Sequence, residues 1–302
     1  MKHLLKLSDI SKDDILSILE LADRLKAKQK KGEEHKLLAG KTLGMIFEKS
    51  STRTRVSFET GMYQLGGHAL FLSSNDLQIG RGEPICDTAR VMSRYVDGIM
   101  IRTFAQQTVE DLAKFGSVPV INGLTDFAHP CQVLADFQTI REYKKRLEGL
   151  KLCYIGDGNN MANSLIVGGI KVGMTVSVAT PPMHKPDSAV MDFAKNSGRF
   201  SYTDDVLKAA KDADVLVTDV WASMGQEKEA QARMKVFAGY QINSDIMSVA
   251  AKDAIVLHCL PAHRGEEITE EIFENHANVI FDEAENRLHA QKAVMVRLMG
   301  EN

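Results

Sequence analysis

The chain has 302 residues, 44% hydrophobic and 25% charged, with 37 basic against 40 acidic residues and a net charge of -3. This is ordinary globular composition: it excludes a disordered or fibrous chain and lacks the basic excess that nucleic acid selects. At this length, two hydrophobic cores of roughly 150 residues each are expected.

Cysteine occurs only at Cys86, Cys131, Cys153 and Cys259, with no CxxC pair, a usage that suits a reducing cytoplasm. Charge interrupts the apolar residues of positions 1–9 too early for a signal-peptide core. Lys, Arg, Asp or Glu breaks every apolar run before the roughly 18 to 20 residues a bilayer span needs. The expected setting is cytoplasmic, with neither membrane nor nucleic acid as a partner.

Behind Ser11, a suitable N-cap, Ile15, Ile18, Leu19, Ala22 and Leu25 recur at helical spacing. Lys26, Lys28, Lys30 and Lys31 follow, and Glu33 and Glu34 come at once, which reads as a solvated face. From position 42, short apolar runs alternate with helical patterns. The runs are Thr42–Phe47, His68–Leu72, Gly98–Ile101 and Val118–Ile121. A long helix pattern then carries Val133, Leu134, Phe137 and Ile140 on one side. A second series follows: Lys151–Ile155, Thr175–Ala179, Asp214–Val220, Ala254–His258 and Asn278–Phe281. This is the sequence form of parallel sheets covered by helices. The expected fold is α/β, two doubly wound parallel-sheet domains joined by a long helix. Their expected limits are 1–136 and 137–285, with a C-terminal helix, 286–302, returning to the first.

In such sheets, ligands sit beyond the carboxyl ends of the strands. After the first strand comes Glu48-Lys49-Ser50-Ser51-Thr52-Arg53-Thr54-Arg55, and Phe58, Met62 and Leu65 then recur at helical spacing. A helix therefore opens inside this turn. Its free N–H groups and dipole favour an anion, the hydroxyls add donors, and guanidinium forks match phosphate oxygens. Capping alone needs one hydroxyl, and no GxxxxGK[ST] pattern is present, so the turn reads as a phosphate grip of non-Walker type. Arg102 follows the third strand, and His129-Pro130-Cys131-Gln132 precedes the long helix. Each has an ordinary reading, as a surface arginine or a helix-entry histidine. At one sheet edge, Arg102, His129 and Gln132 are suited to polarising a carbonyl and holding its amide substituent beside a phosphate, as an acyl phosphate requires.

Gly156-Asp157-Gly158-Asn159-Asn160-Met161 fails as a dinucleotide fingerprint, because Met161 stands at the third glycine and no acid lies near Ala179. A tight turn whose Asn160 faces a ligand is expected instead. Asp219 is either a cap or the partner of a substrate ammonium, and Ser223, Met224 and Gly225 follow in the next loop. His258, Cys259 and His263 match no zinc spacing, so no metal is expected. Cys259 is either an inert buried thiol or a nucleophile. Arg287, read as lying past a strand that enters the final helix, is either a local salt-bridge partner or a substrate contact.

Together, the Ser51 turn, Arg102, His129 to Gln132, Asp219 with Ser223 to Gly225, His258 to Pro261 and Asp282 to Arg287 resemble the ornithine carbamoyltransferases of the aspartate/ornithine carbamoyltransferase family. The resemblance spans essentially the whole chain, in order. It implies a carbamoyl-phosphate-binding first domain and an ornithine-binding second one. Ser51, Thr52, Arg53 and Thr54 would hold the phosphate; Arg102, His129 and Gln132 would contact the carbamoyl group, with Pro130 and Cys131 in the same binding stretch. Asn160, Asp219, Ser223 and Met224 would hold ornithine's amino-acid end, and Cys259, Leu260 and Arg287 would complete the site around the reacting atoms. Catalytic roles fall to Arg102, His129 and Cys259. The resemblance further implies a trimer or an assembly of trimers, in which Gln78 reaches a neighbouring subunit's site, and a reaction without cofactor or metal. Aspartate, with its extra carboxylate, would be repelled by Asp219. Two rivals compete: a cysteine-dependent amidohydrolase using Cys259 or Cys131, and a noncatalytic binder that keeps the phosphate pocket.

Overall fold

A computed structural model describes residues 1–222 and 230–300. The chain divides into two compact units, one of Met1–Gln138 with Asn286–Asn302, the other Thr139–Glu285.

In the first unit, α1 (Lys12–Lys30) starts at a capping box: the Ser11 side chain accepts from Asp14 N–H while the Asp14 carboxylate accepts from Ser11 N–H. Its apolar residues Ile15, Ile18, Leu19, Ala22 and Leu25 are all buried. Lys26 departs from the expected solvated face: it is buried, and its Nζ donates to Asn286 Oδ1 at 2.8 Å. A helix face is broad enough to take an aliphatic stem inward when a polar partner meets its tip.

The strands β1 (Thr42–Phe47), β2 (His68–Ser73), β3 (Gly98–Arg102) and β4 (Val120–Leu124) form one sheet in the order β2-β1-β3-β4, every pair parallel. α2 (Thr52–Gln64), α3 (Ile85–Met92) and α4 (Gln106–Phe115) lie between them in sequence, and α5 (Pro130–Lys144) follows β4. Ile46, Val96, Ile99, Ile101, Val109, Leu112 and Val120 pack into one buried cluster, each such side chain contributing about 1.5–3 kcal/mol. α5 is more deeply embedded than a one-sided pattern implies, since every residue from Cys131 to Gln138 is buried.

The second unit carries β5 (Lys151–Ile155), β6 (Thr175–Ala179), β7 (Phe200–Thr203), β8 (Val215–Thr218) and β9 (Ile255–His258), ordered β7-β6-β5-β8-β9 and again all parallel. Its helices are α6 (Asn160–Lys171), α7 (Ser188–Lys195), α8 (Val206–Ala210), α9 (Ala230–Val236), α10 (Ser244–Val249) and α11 (Glu270–Asn275). Ile155, Leu216, Val256, Ile242, Phe273 and Ile280 share its core. Both units are doubly wound α/β.

Two strand assignments need correction. Asn278–Phe281 is not a strand but the opening of α12 (Ala277–Met299). Val279 and Ile280 are buried while Phe281 is 56% exposed, and no Gly or Pro breaks the run before the helical pattern beyond it. A short apolar run does not by itself separate strand from buried helix. β7 went unread because it is an edge strand, half-buried and short. Asp219 stands one residue past β8, so the strand stops short of the expected Val220.

Lys292, on α12, is fully buried; its Nζ donates to Gln64 Oε1 at 2.8 Å and meets His35 Nε2 at 3.0 Å. His35 Nδ1 lies 2.8 Å from Glu33 O, so that nitrogen carries the proton and Nε2 accepts from lysine. Burial lowers the Lys292 pKa from 10.5 to about 8. The unfolded chain therefore binds more protons than the folded one between those two values, and this group's contribution to stability rises with pH across that window. In Lys292→Met, the variant's stability in urea relative to wild type should fall from pH 7 to pH 10; a constant difference would contradict the assignment.

Candidate functional site

In the first unit, β1 and β3 lie side by side while the chain leaves them toward opposite edges of the sheet, the switch point where such folds bind ligands. Ser51 is the N-cap of α2, its Oγ accepting from Thr54 N–H at 3.2 Å. Thr52 and Arg53 open the helix and Thr54 is buried behind them. Arg55 turns away: its Nε donates to Glu59 at 3.0 Å and its guanidinium sits 3.7 Å from the Phe71 ring centre.

The turn is tied to its neighbours through backbone. Glu48 N–H and Lys49 N–H donate to Arg102 O, at 2.9 and 3.4 Å. Thr103 Oγ1 donates to Glu48, and the buried Lys49 ammonium pairs with Asp126 and lies 4.2 Å from the Phe104 ring centre. Glu48, Lys49 and Thr103 were not singled out from sequence. Only their adjacency to the Ser51 and Arg102 turns could have flagged them.

Arg102 ends β3 and is buried, as is His129 ahead of α5. Burial first, then the charges of Arg287, Arg102 and Arg53, holds His129 well below the ordinary histidine pKa. It is a neutral imidazole at neutral pH, able to donate a hydrogen bond without a charge of its own. Pro130 fills the first helical position, where its missing N–H costs nothing. Cys131 is fully buried, its Sγ donates to Asn122 O at 3.4 Å, and burial pushes its thiol up to about 12. Such a thiol is no nucleophile, which removes Cys131 from the amidohydrolase reading.

Gln132 Nε2 donates to Asp136 Oδ1 at 2.8 Å, and its Oε1 accepts from Arg287 Nη1 at 2.6 Å; Arg287 Nη2 reaches Thr54 Oγ1 at 3.3 Å. Arg287, expected among the ornithine contacts, thus lies in the first unit beside the Ser51 turn. Gln78 is exposed on a 3-10 turn, Gln78–Arg81.

In the second unit the switch point falls between β5 and β8. Gly158 admits no side chain there: a Cβ would stand 2.2 Å from Lys185 C and 2.3 Å from Pro186 N. The next residue, Asn159, caps α6, its Oδ1 accepting from Met161 N–H at 2.9 Å. Its Nδ2 donates to Asp219 Oδ2 at 2.8 Å. Asp219 is buried and its Oδ1 accepts from Val220 N–H at 2.8 Å and Cys259 Sγ at 3.1 Å. Asn159, missed from sequence, therefore joins Asp219 and Cys259, while Asn160 is the half-buried first residue of the helix. The preference for Asn at N-caps was the available signal. Ser223 and Met224 fall outside the described residues.

Behind Cys259, the His258 ring is buried with both nitrogens engaged. Nδ1 accepts from Leu260 N–H at 2.9 Å, so Nε2 carries the proton and donates to Glu267 Oε1 at 2.9 Å. His258 N–H donates to Glu283 Oε2 at 2.8 Å. Leu260 is held at φ 57°, a region non-glycine residues seldom occupy, and it precedes a cis Pro261. His258 is thus a scaffold for the Cys259 loop.

One unit thus carries a donor-rich helix start with arginines and a neutral imidazole around it, the other a carboxylate, amide and thiol cluster, each at the switch point of a doubly wound α/β sheet, the arrangement of an α/β enzyme. Residues 2–142 match the family model described as aspartate/ornithine carbamoyltransferase, carbamoyl-P binding domain, and residues 148–298 match the companion Asp/Orn binding domain. The ornithine carbamoyltransferase of Syntrophotalea carbinolica is 60% identical over 299 residues, 99% of each chain. The Pyrococcus furiosus ornithine carbamoyltransferase structure superposes with a TM-score of 0.95 at 55% identity, covering 99% of this chain and 97% of that one. The anabolic enzyme of Campylobacter jejuni gives 0.93 at 48% identity, covering 99% of each. The chain belongs to the aspartate/ornithine carbamoyltransferase family.

Proposed function

We propose that the protein transfers the carbamoyl group of carbamoyl phosphate to the δ-amine of L-ornithine, giving L-citrulline and phosphate in the biosynthetic direction. The observation that carries the choice of acceptor is Asp219, a buried carboxylate fixed by Asn159 Nδ2 and Val220 N–H and touched by the Cys259 thiol. It suits an α-ammonium and opposes the extra carboxylate of aspartate.

Ser51, Thr52, Arg53 and Thr54 hold the phosphate, with Arg287 behind Thr54. Arg102 and His129 stabilise the charge that builds on the carbonyl oxygen as the amine attacks. Gln132, oriented between Asp136 and Arg287, sets the carbamoyl amide with Pro130 and Cys131 as its wall. The δ-amine, with an ordinary pKa of about 10.4, must lose a proton to attack; desolvation and neighbouring cations lower that pKa, and the departing phosphate can take the proton. Asn160, Ser223 and Met224 join Asp219 at the amino-acid end, and Leu260 and Cys259 aim the δ-nitrogen. No metal or cofactor enters this scheme.

With labelled carbamoyl phosphate fixed and ornithine, N-acetylornithine, putrescine and aspartate offered together, labelled citrulline should dominate. Predominant carbamoyl-putrescine or carbamoyl-aspartate would overturn the reading of Asp219.

We also propose a cytoplasmic homotrimer or assembly of trimers. All four cysteines are free, and no helix among the described residues is long and apolar enough to cross a membrane. Among the described residues β2 pairs with β1 alone, and Leu70 and Phe71 on it and Val56 on α2 are exposed, an apolar edge suited to a second copy. Gln78 would then serve a neighbouring subunit's site. Phe71→Asp should reduce the mass found by light scattering below that of a trimer; an unchanged mass would place the contact elsewhere.

A further inference from the structure

Lys292 is a buried amine that the proposed reaction does not use. Its Nζ donates to Gln64 Oε1 at 2.8 Å and to His35 Nε2 at 3.0 Å, its two partners among the described residues. An ammonium has three N–H donors and would leave one idle here, whereas a neutral amine has two and is matched. Lys49, also buried, is paired with the Asp126 carboxylate instead. Burial lowers the Lys292 pKa to about 8, so roughly a tenth of the amine is neutral at pH 7. A desolvated, neutral lysine is a nucleophile.

His35 and Gln64 also line a surface cleft of about 550 Å³, with Glu33, Glu34 and Tyr63 on its walls. Glu34 is paired with Lys36 at 2.9 Å. Carboxylates at the entrance disfavour an anion and leave a small neutral electrophile as the molecule that fits. A base is in place as well: His35 Nε2 accepts from Nζ, while its Nδ1–H is held on Glu33 O at 2.8 Å.

We propose that Lys292 is a carbamate-forming site for carbon dioxide. The Nζ lone pair attacks the carbon, a C–N bond forms, and one C=O electron pair moves onto oxygen. The nitrogen's proton passes along the existing hydrogen bond to His35 Nε2. The product is an N-carboxylate beside an imidazolium, so the new negative charge arises already paired, as a buried charge requires. Nothing leaves, and nothing is oxidised or reduced. A consequence for activity rests on the proposed function. Lys292 and Gln64 tie α12 to the last residue of α2, and Arg287 and Thr54 tie the same helices beside the Ser51 turn. The helices are close-packed between these ties, since a Cβ on Gly61 would stand 3.2 Å from Lys292 Cγ. Three added atoms at Nζ therefore bear on the phosphate half.

Carbamates can be trapped as alkyl esters by a trialkyloxonium reagent and located by peptide mass spectrometry. With the full chain at pH 8 under ¹³C-carbon dioxide, the ester is expected on Lys292 at about tenfold or more its level on Lys36, and is lost when carbon dioxide is removed before trapping. His35→Gln should lower it at least tenfold. No ester on Lys292, or equal esters on Lys292 and Lys36, would sink the proposal; undiminished ester in His35→Gln would remove His35 as the base. In kinetics, carbon dioxide should change the KM for carbamoyl phosphate severalfold in wild type but not in Lys292→Met, with the KM for ornithine constant in both. The same change in Lys292→Met would place bicarbonate at the Ser51 turn and refute the coupling, as would no change in wild type. Trapping is read whether or not citrulline forms, so failure of the site and failure of the proposed reaction are distinguishable.

Discussion

Arg102→Ala is expected to lower kcat by about 10²–10³-fold, the range found when one donor to a developing oxyanion is removed. Binding of carbamoyl phosphate should weaken far less. The reason is local: the Ser51 turn is pinned by the Arg102 carbonyl, which accepts from Glu48 and Lys49 N–H, and not by its guanidinium. The backbone scaffold survives the substitution while the charge is lost. The pH profile should change too. His129 is held low by burial and then by Arg287, Arg102 and Arg53; removing one cation leaves burial, the larger cause, in place, and moves the histidine part of the way back toward 6.5. Activity should then begin to fall at a higher pH on the acid side than in wild type. Equal losses in kcat and in carbamoyl phosphate affinity, measured by steady-state kinetics and calorimetry, would show ground-state binding instead of transition-state stabilisation.

Asp219→Asn carries the second large effect. The change preserves shape and an oxygen for Asn159 Nδ2, but removes the charge proposed to meet the α-ammonium. Losing one partner of a desolvated charge pair costs about 2–5 kcal/mol, so the KM for ornithine should rise by between about 30-fold and several thousand-fold. Carbamoyl phosphate affinity should be unaffected, because its donors belong to the other unit. An unchanged ornithine KM would remove Asp219 from the site.

The strands were legible because parallel strands buried on both faces read as apolar runs, and β1, β5 and β6 begin and end where that pattern does. The helix start at the Ser51 turn was legible because its cap and its donors are contiguous. What escaped depends on contacts distant in sequence. Arg287 meets Gln132 across 155 positions, Lys26 meets Asn286 across 260, and nothing local to either announces the partner. Asn159, which makes the bond to Asp219, went unread beside Asn160, because it is the cap of a helix start, where boundaries are least certain. Asn278–Phe281 failed for a different reason: with four residues and no breaker, period 2 and period 3.6 are hard to tell apart.

The central claim is direct transfer from carbamoyl phosphate to ornithine. Incubating the metal-stripped protein with ¹³C-carbamoyl phosphate and ornithine, and following the carbonyl carbon and phosphate together by NMR, tests it most directly. The account predicts one ¹³C-citrulline for each phosphate released in excess of spontaneous breakdown, and no label on the protein by mass spectrometry. Phosphate released without citrulline, or a ¹³C-carbamoyl adduct trapped on Cys259, would contradict it.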